Sequence, residues 1–323
     1  MAPSPAPLSR HIARLLKSDP PRAKSLCVTF LGDALAPRGG EVWLSDLIAL
    51  FTPLGINERL LRTSVFRLVA QGWLTSERHG RRSLYRLSAL GERTTQRAST
   101  RIYDGPALEW DGNWTLVALP RNGNNGLAER GELRRELEWE GFGMIAPGLF
   151  AHPQTEAGAA HRILDELGIP DKALVLSAQD LAGAGGLPIA QIAPQCWNLA
   201  DVAEQYRQFS RQFAPLVKHL DEEAAAPLDP EQAFILRMLA LHHWRRIVLH
   251  DPRLPQPMLP ADWPGHAARA VCGALYWRLF DASEAHLDAL IGAAASDARV
   301  ELQSTRFGGR QIAGITEAAG VGV

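Results

Sequence analysis

Cysteine is scarce in this chain. Its three cysteines in 323 residues, Cys27, Cys196 and Cys272, stand far apart and outside any C-x-x-C spacing. So few thiols, odd in number, argue against a disulfide framework or a cysteine zinc site and fit reduced core cysteines. Long apolar runs are missing as well. No charge-free run approaches the roughly 20 residues that span a bilayer, and the N-terminus, with Pro3, Pro5 and Pro7, lacks the apolar core of a signal peptide. A cytoplasmic protein without membrane attachment is expected. Familiar catalytic spacings are absent too: there is no G-x-S-x-G, H-E-x-x-H or P-loop. Gly141-x-Gly143 with Gly148 lies between two short strands and opens no helix, so it is no dinucleotide loop. His242, His243 and His250 crowd one stretch, but no carboxylate or cysteine completes a ligand set. The sequence therefore offers no catalytic residues, no cofactor and no metal.

Net charge is nearly absent, at −1, yet this sum hides a split. Residues 1 to 101 hold 16 lysines and arginines against seven acids, and the remainder holds 18 against 28. A basic head precedes an acidic body. Within the head, residues 55 to 101 contain ten arginines and no lysine, opposed only by Glu58, Glu77 and Glu92. Arginine forks suit phosphates and guanine edges.

What is present is enough apolar material, 46% of residues, for more than one core. Leu26, Phe30 and Leu31 fall at helical spacing and predict a first helix over residues 22 to 34, broken by Pro37 and Gly39-Gly40. Trp43, Leu44, Leu47, Ile48 and Phe51 predict a second, stopped by Pro53 and Gly55. Asn57 can cap a third, whose apolar side is Leu60, Leu61, Val65, Leu68 and Val69 and which ends at Gly72. Its opposite surface carries Arg59, Arg62, Thr63 and Arg67. Strands at 73–76 and 84–87 flank a charged tip over residues 77 to 82, a β-hairpin with a basic turn. Three helices followed by a basic hairpin is the order of a winged helix-turn-helix. A solvated charged helix face is the plain alternative. Against it stands the coincidence of these arginines with Arg78, Arg81 and Arg82 at the neighbouring tip, because clustered like charge is unfavourable without a partner.

A polar connector helix over 88–102 and a boundary at Asp104-Gly105-Pro106 follow. Strands at 114–119, 142–145, 149–152 and 173–176 alternate with helices at 127–139 and 159–167, an order βαββαβ that describes a ferredoxin-like domain. Loops are expected at 122–126 and 183–186. From Leu199 onward nearly everything reads as helix, interrupted by a stiff segment with Pro252, Pro255, Pro257, Pro260 and Pro264. The stretch from about Phe307, rich in glycine and alanine, is expected to fray. The fold class is α+β and multidomain, with a winged helix-turn-helix over 20–102, a central ferredoxin-like domain over 110–195 and an all-α domain over 196–306.

The chain resembles the PaaX family, the phenylacetic acid degradation repressors. The resemblance runs nearly end to end. It is carried by Pro21-Arg22-Ala23-Lys24-Ser25-Leu26, by Gly39-Gly40-Glu41-Val42-Trp43-Leu44, by the run from Gly55-Ile56-Asn57 to Phe66-Arg67-Leu68, and by Gly80-Arg81-Arg82-Ser83-Leu84-Tyr85-Arg86-Leu87. Towards the C-terminus it is carried by His243-Trp244-Arg245-Arg246, Asp251-Pro252-Arg253-Leu254-Pro255, Leu259-Pro260 and Trp263-Pro264-Gly265. The resemblance implies a central domain similar to the Cas2 nuclease fold. It also implies a homodimer that represses aromatic catabolic genes until an aryl-CoA thioester such as phenylacetyl-CoA releases it. Cas2 nucleases place an aspartate just after their first strand, where this chain has Leu119-Pro120-Arg121, so metal-dependent cleavage is not expected.

On this reading Arg59, Arg62, Thr63, Ser64 and Arg67 meet the major groove of double-stranded DNA, and Arg78, Arg81 and Arg82 meet phosphates. A CoA thioester needs cations for its phosphates and an aromatic slot for its acyl group. His243, Trp244, Arg245, Arg246 and Trp263, beside the proline segment, are the candidates, although they could equally lock the helical part together. The alternatives are a Cas2-type metal-dependent nuclease with a DNA-targeting head, and an activator of the same fold.

Overall fold

The structure is a computed structural model that describes residues 7–105, 110–119, 127–153, 157–179, 189–222 and 227–310. Two compact units are present, each assembled from segments distant in the chain. The first combines Met1–Gly105, Ser210–Arg245 and Arg269–Val323; the second combines Pro106–Phe209 with Arg246–Ala268.

In the first unit the expected three helices are α2 (Ala23–Phe30), α3 (Leu44–Phe51) and α4 (Glu58–Ala70). Their apolar faces meet through buried Leu26, Phe30, Leu50, Phe51, Leu61 and Leu68, and the Phe30 and Phe51 rings pack edge to face at 5.5 Å. Asn57 caps α4 as its spacing predicts, its side chain accepting from the Leu60 amide at 2.9 Å. An additional helix, α1 (Pro7–Ser18), precedes them and buries Ile12 and Leu15. Helix α2 runs on into a π turn, Leu31–Leu35, that carries Asp33.

Three points differ from the sequence-based expectation. Trp43 belongs not to a helix but to a short strand, β1 (Glu41–Trp43), which pairs antiparallel with β3 (Arg82–Leu87), Trp43 opposite Leu84. The hairpin strands are longer than expected. β2 (Leu74–His79) pairs with β3 as far as His79 opposite Arg82, leaving only Gly80 and Arg81 as the turn. Gly80 takes φ +60 at the first turn position, the conformation a two-residue hairpin needs there. Arg78 and Arg82 therefore project from strands. Finally, Phe307 does not fray: its ring packs against Tyr103 and Tyr276 at 5.4 and 5.3 Å, and Arg306 beside it is buried.

Helix α5 (Ala89–Tyr103) leads from the hairpin to these rings, and the Trp244 indole of α10 (Pro230–Val248) donates to the Ile102 carbonyl at 2.8 Å. Beneath lies a buried ionic cluster. Asp33 pairs with Arg237 at 2.8 Å and with Arg306, and accepts from the Tyr103 hydroxyl at 2.7 Å. Arg237 also pairs with Glu284 of α11 (Gly265–Ile291) at 2.7 Å, and Arg38 joins Glu284 at 2.7 Å and Asp288 at 3.0 Å. Cys27 and Cys272 are buried free thiols, and burial pushes the Cys27 thiol up to about 12; Cys196, in α8 (Ile189–Cys196), is half-buried.

In the second unit the order βαββαβ is realised by β4 (Asn113–Ala118), α6 (Leu127–Glu140), β5 (Gly143–Ala146), β6 (Leu149–His152), α7 (Ala157–Glu166) and β7 (Leu174–Gln179). The sheet is antiparallel with order β5-β6-β4-β7. One face is covered by α6 and α7 around Val117, Leu133, Leu137, Phe150, Ile163 and Leu164. The other is covered at the β5 end by Trp197, whose indole donates to the Gly141 carbonyl at 2.8 Å. A Cβ on Gly143 would fall 2.4 Å from that ring, so only glycine fits. At the β7 end the same face is bare: Leu174 is 57% and Leu176 45% exposed. The expected loops at 122–126 and 183–186, and Pro120 and Arg121, lie outside the described residues. The proline segment turns at Gln256–Met258 and again at Pro260–Trp263, where the Trp263 amide donates to the Pro260 carbonyl at 3.0 Å, and it is anchored by Asp251, which accepts from the Tyr206 hydroxyl of α9 (Leu199–Glu222) at 2.6 Å.

Candidate nucleic-acid interface

A helix advances about 100° per residue, and that rotation sorts α4. Leu61, Ser64, Val65 and Leu68 point into the first unit, whereas Arg59, Arg62, Thr63, Phe66 and Arg67 are exposed. Two expectations are corrected. Ser64 is only 6% exposed and donates to the Leu60 carbonyl at 2.8 Å, so it belongs to the helix's inner side rather than to the groove-facing set. Leu60, assigned by residue type to the apolar side, is 50% exposed. Rotation decides both: Leu60 lies beside Arg67 on the wheel and Ser64 lies beside Leu68.

The acids of the region are engaged away from the centre of this surface. Glu58 pairs with Arg62 one turn along α4 at 2.7 Å, both side chains more than half exposed, a contact of about 0.3–0.5 kcal/mol that a phosphate can replace. Glu77 pairs with Arg86 and His79, and the Arg86 hydrogen bond holds its carboxyl below the usual carboxylate range. Arg86 also meets Glu41, so this arginine is neutralised inside the sheet.

The hairpin arginines differ in freedom. Arg82 lies over the Trp43 ring, 4.0 Å from its centroid, and Arg78 donates to the Gly80 carbonyl at 3.1 Å. Arg81, at the turn, is exposed. Strand β1 was invisible as such in the sequence, yet it positions Trp43 to orient Arg82.

The candidates for a thioester site divide between the two units. His243, Trp244 and Arg245 fall in the first unit, and Arg246 and Trp263 in the second. Trp244 is buried in packing, His243 meets the Phe213 ring at 5.5 Å, and Trp263 meets Tyr206 at 5.9 Å. Arg246 is exposed. Arg245 is half-buried, and burial lowers its pKa against the opposing pull of Tyr103. Among the described residues no cluster of three or more histidine, cysteine, aspartate or glutamate side chains could hold a metal, and no helix is long and apolar enough to cross a membrane.

Comparison with known proteins gives this geometry its context. Three family descriptions match in succession: PaaX-like protein over residues 22–91, the PaaX protein central Cas2-like domain over 107–187, and the PaaX-like protein C-terminal domain over 197–289. The transcriptional repressor PaaX of Escherichia coli strain K12 is 37% identical over 309 residues, spanning 94% of this chain and 96% of that one. A solved structure of an uncharacterized protein from Mycobacterium tuberculosis is 25% identical, covers 80% of this chain and 98% of its own, and superposes with a TM-score of 0.49. Consecutive matches to all three family segments, together with a relative similar along almost its entire length, establish that this chain belongs to the PaaX family.

Proposed function

We propose that the chain is a PaaX-type transcriptional repressor, a regulator rather than an enzyme. In this reading α2 to α4 with β1 to β3 form a winged helix-turn-helix, α4 enters the major groove and the hairpin lies along the backbone. The observation that carries it is the exposed arginine surface of α4, supplemented by Arg78, Arg81 and Arg82 on the adjoining hairpin. The finer reading is repression of phenylacetate-type catabolic genes, relieved by an aryl-CoA thioester such as phenylacetyl-CoA. The thioester must bind the DNA-free arrangement more tightly, since equal affinity for both states shifts nothing. Arg245 is the foremost of the proposed ligand cations, because no carboxylate pairs with it among the described residues.

The test is a gel shift of the full chain on the DNA upstream of its own gene. A specific shift is expected, abolished by phenylacetyl-CoA and not by phenylacetate or CoA alone. Binding no stronger than to unrelated DNA of equal length overturns the repressor reading, and a complex that survives the thioester overturns the effector.

A homodimer on a pseudo-palindromic operator completes the proposal. The uncovered sheet face at Leu174 and Leu176, one apolar pair on the edge strand β7, supports it. The double variant Leu174→Glu/Leu176→Glu is expected to sediment at the mass of one chain where the parent sediments at two. Equal masses for both proteins would refute that placement.

A further inference from the structure

We propose that Phe66 reads thymine: its ring, at the centre of the exposed surface of α4, meets the C5-methyl groups of thymines in the major groove. This rests on the DNA-binding reading above and adds to it a residue and a base.

The motive is where the apolar surface lies. Phe66 is 72% exposed, more than any other large hydrophobic side chain among the described residues. It is not at a frayed end but two turns into a helix that is capped and packed along its other side. At about 100° per residue, Arg59, Thr63, Phe66 and Ala70 fall along one line of the helix, with Arg62 to one side and Leu60 and Arg67 to the other. Thr63 belongs with the apolar part of that line. Its hydroxyl is turned back onto the helix and donates to the Arg59 carbonyl at 2.9 Å, which leaves its methyl as the outward group. The centre of the surface is thus apolar, formed by the Thr63 methyl, the Phe66 ring and Ala70, between guanidinium groups.

Such a surface specifies its occupant by charge and by polarity. Arg59 and Arg67 suit an anionic partner, as does Arg62 where a phosphate replaces Glu58, and the central stripe suits apolar groups set among those anions. In a DNA duplex only the thymine methyl supplies an apolar group on the major-groove edge, and aromatic or threonine-methyl contact is the matching protein element. Arginine and phenylalanine on adjacent lines of one helix would then read neighbouring base pairs, guanine by hydrogen bonding and thymine by contact.

The full chain, Phe66→Ala and Phe66→Leu are compared on the DNA upstream of the gene, amplified once with thymine and once with uracil throughout, which removes only the methyl groups. The parent is expected to bind the uracil fragment roughly tenfold more weakly, the scale of one base-pair mismatch. Phe66→Ala is expected to lose a similar factor on the thymine fragment, to bind both fragments equally and to keep the parent's salt dependence, because phosphate contacts are untouched. Phe66→Leu is expected to retain part of the thymine preference. Equal binding of the parent to both fragments overturns the inference while leaving DNA binding intact, as does a thymine preference that persists in Phe66→Ala. Conversion of Phe66→Ala to a monomer with thymine preference unchanged would instead mark the ring as a contact between copies. A parent that binds neither fragment refutes the repressor reading and this one with it.

Discussion

Replacing Asp33 with alanine will lower the unfolding free energy by about 3–5 kcal/mol, the scale for stripping one partner from a buried ion pair. The cause is what remains behind. Arg237 and Arg306 both point at Asp33, and both are buried. Without that carboxylate two guanidinium groups share a buried space with Glu284, which is already divided between Arg237 and Arg38. The Tyr103 hydroxyl loses its acceptor as well. The expected thermal midpoint falls by on the order of 10 °C. By contrast, Glu58→Ala breaks an exposed pair and is expected to change stability by no more than about 0.5 kcal/mol. Similar losses for the two variants would show that the buried cluster contributes no more than a surface contact.

The same carboxylate predicts a pH dependence with a definite sign. Burial alone would raise the Asp33 pKa, but Arg237, Arg306 and the Tyr103 hydroxyl outweigh it and hold the group below its ordinary value. A pKa depressed by folding contributes stability that is fully present above the unfolded value of about 3.9 and is lost as pH falls through the folded one. The gap between parent and Asp33→Ala is therefore expected to be constant above about pH 5 and to narrow below about pH 4. A gap that instead widens in acid would contradict the assignment of a depressed pKa.

This cluster was the least legible part of the molecule. Asp33 enters a charge count as one acid in a basic head, and Arg237 as one cation in an apolar helix; nothing in local spacing joins residues more than two hundred positions apart. Arg306 and Phe307 precede a glycine-rich tail and read as its beginning, whereas the chain turns back there, with Phe307 at φ +51, to seat both side chains in the first unit. Strand β1 escaped notice for a related reason. Three residues are too short a run to show a strand's alternation, and Glu41–Trp43 is extended because β3 offers it a partner. What the sequence did show was whatever depends on periodicity: the outward arginines of α4, the Asn57 cap and the alternation βαββαβ. On α4 residue type and rotation disagree: type puts Leu60 inward and Ser64 outward, and rotation reverses both. Phe66, absent from the apolar side expected of α4, lies outward by the same rotation.

The arginines give the second large effect. Arg59→Ala/Arg67→Ala is expected to weaken binding to the operator by roughly 10²- to 10⁴-fold, each arginine proposed to read a base contributing about 1–3 kcal/mol. They stand eight positions apart, about 12 Å along α4 at 1.5 Å per residue, so their losses should add. Arg81→Ala must behave differently. At the hairpin turn it is expected to meet phosphate rather than a base edge when α4 occupies the groove. It should weaken all sequences alike and flatten the slope of log affinity against log salt by about one. Arg82→Ala should do the same and also lose its contact with Trp43, a further cost of about 0.5–1 kcal/mol in stability. Competition between operator and unrelated DNA across a salt series separates the two behaviours. Loss of discrimination in Arg81→Ala, with discrimination intact in the α4 double variant, would place the hairpin in the groove and α4 on the backbone, reversing the orientation proposed for this head.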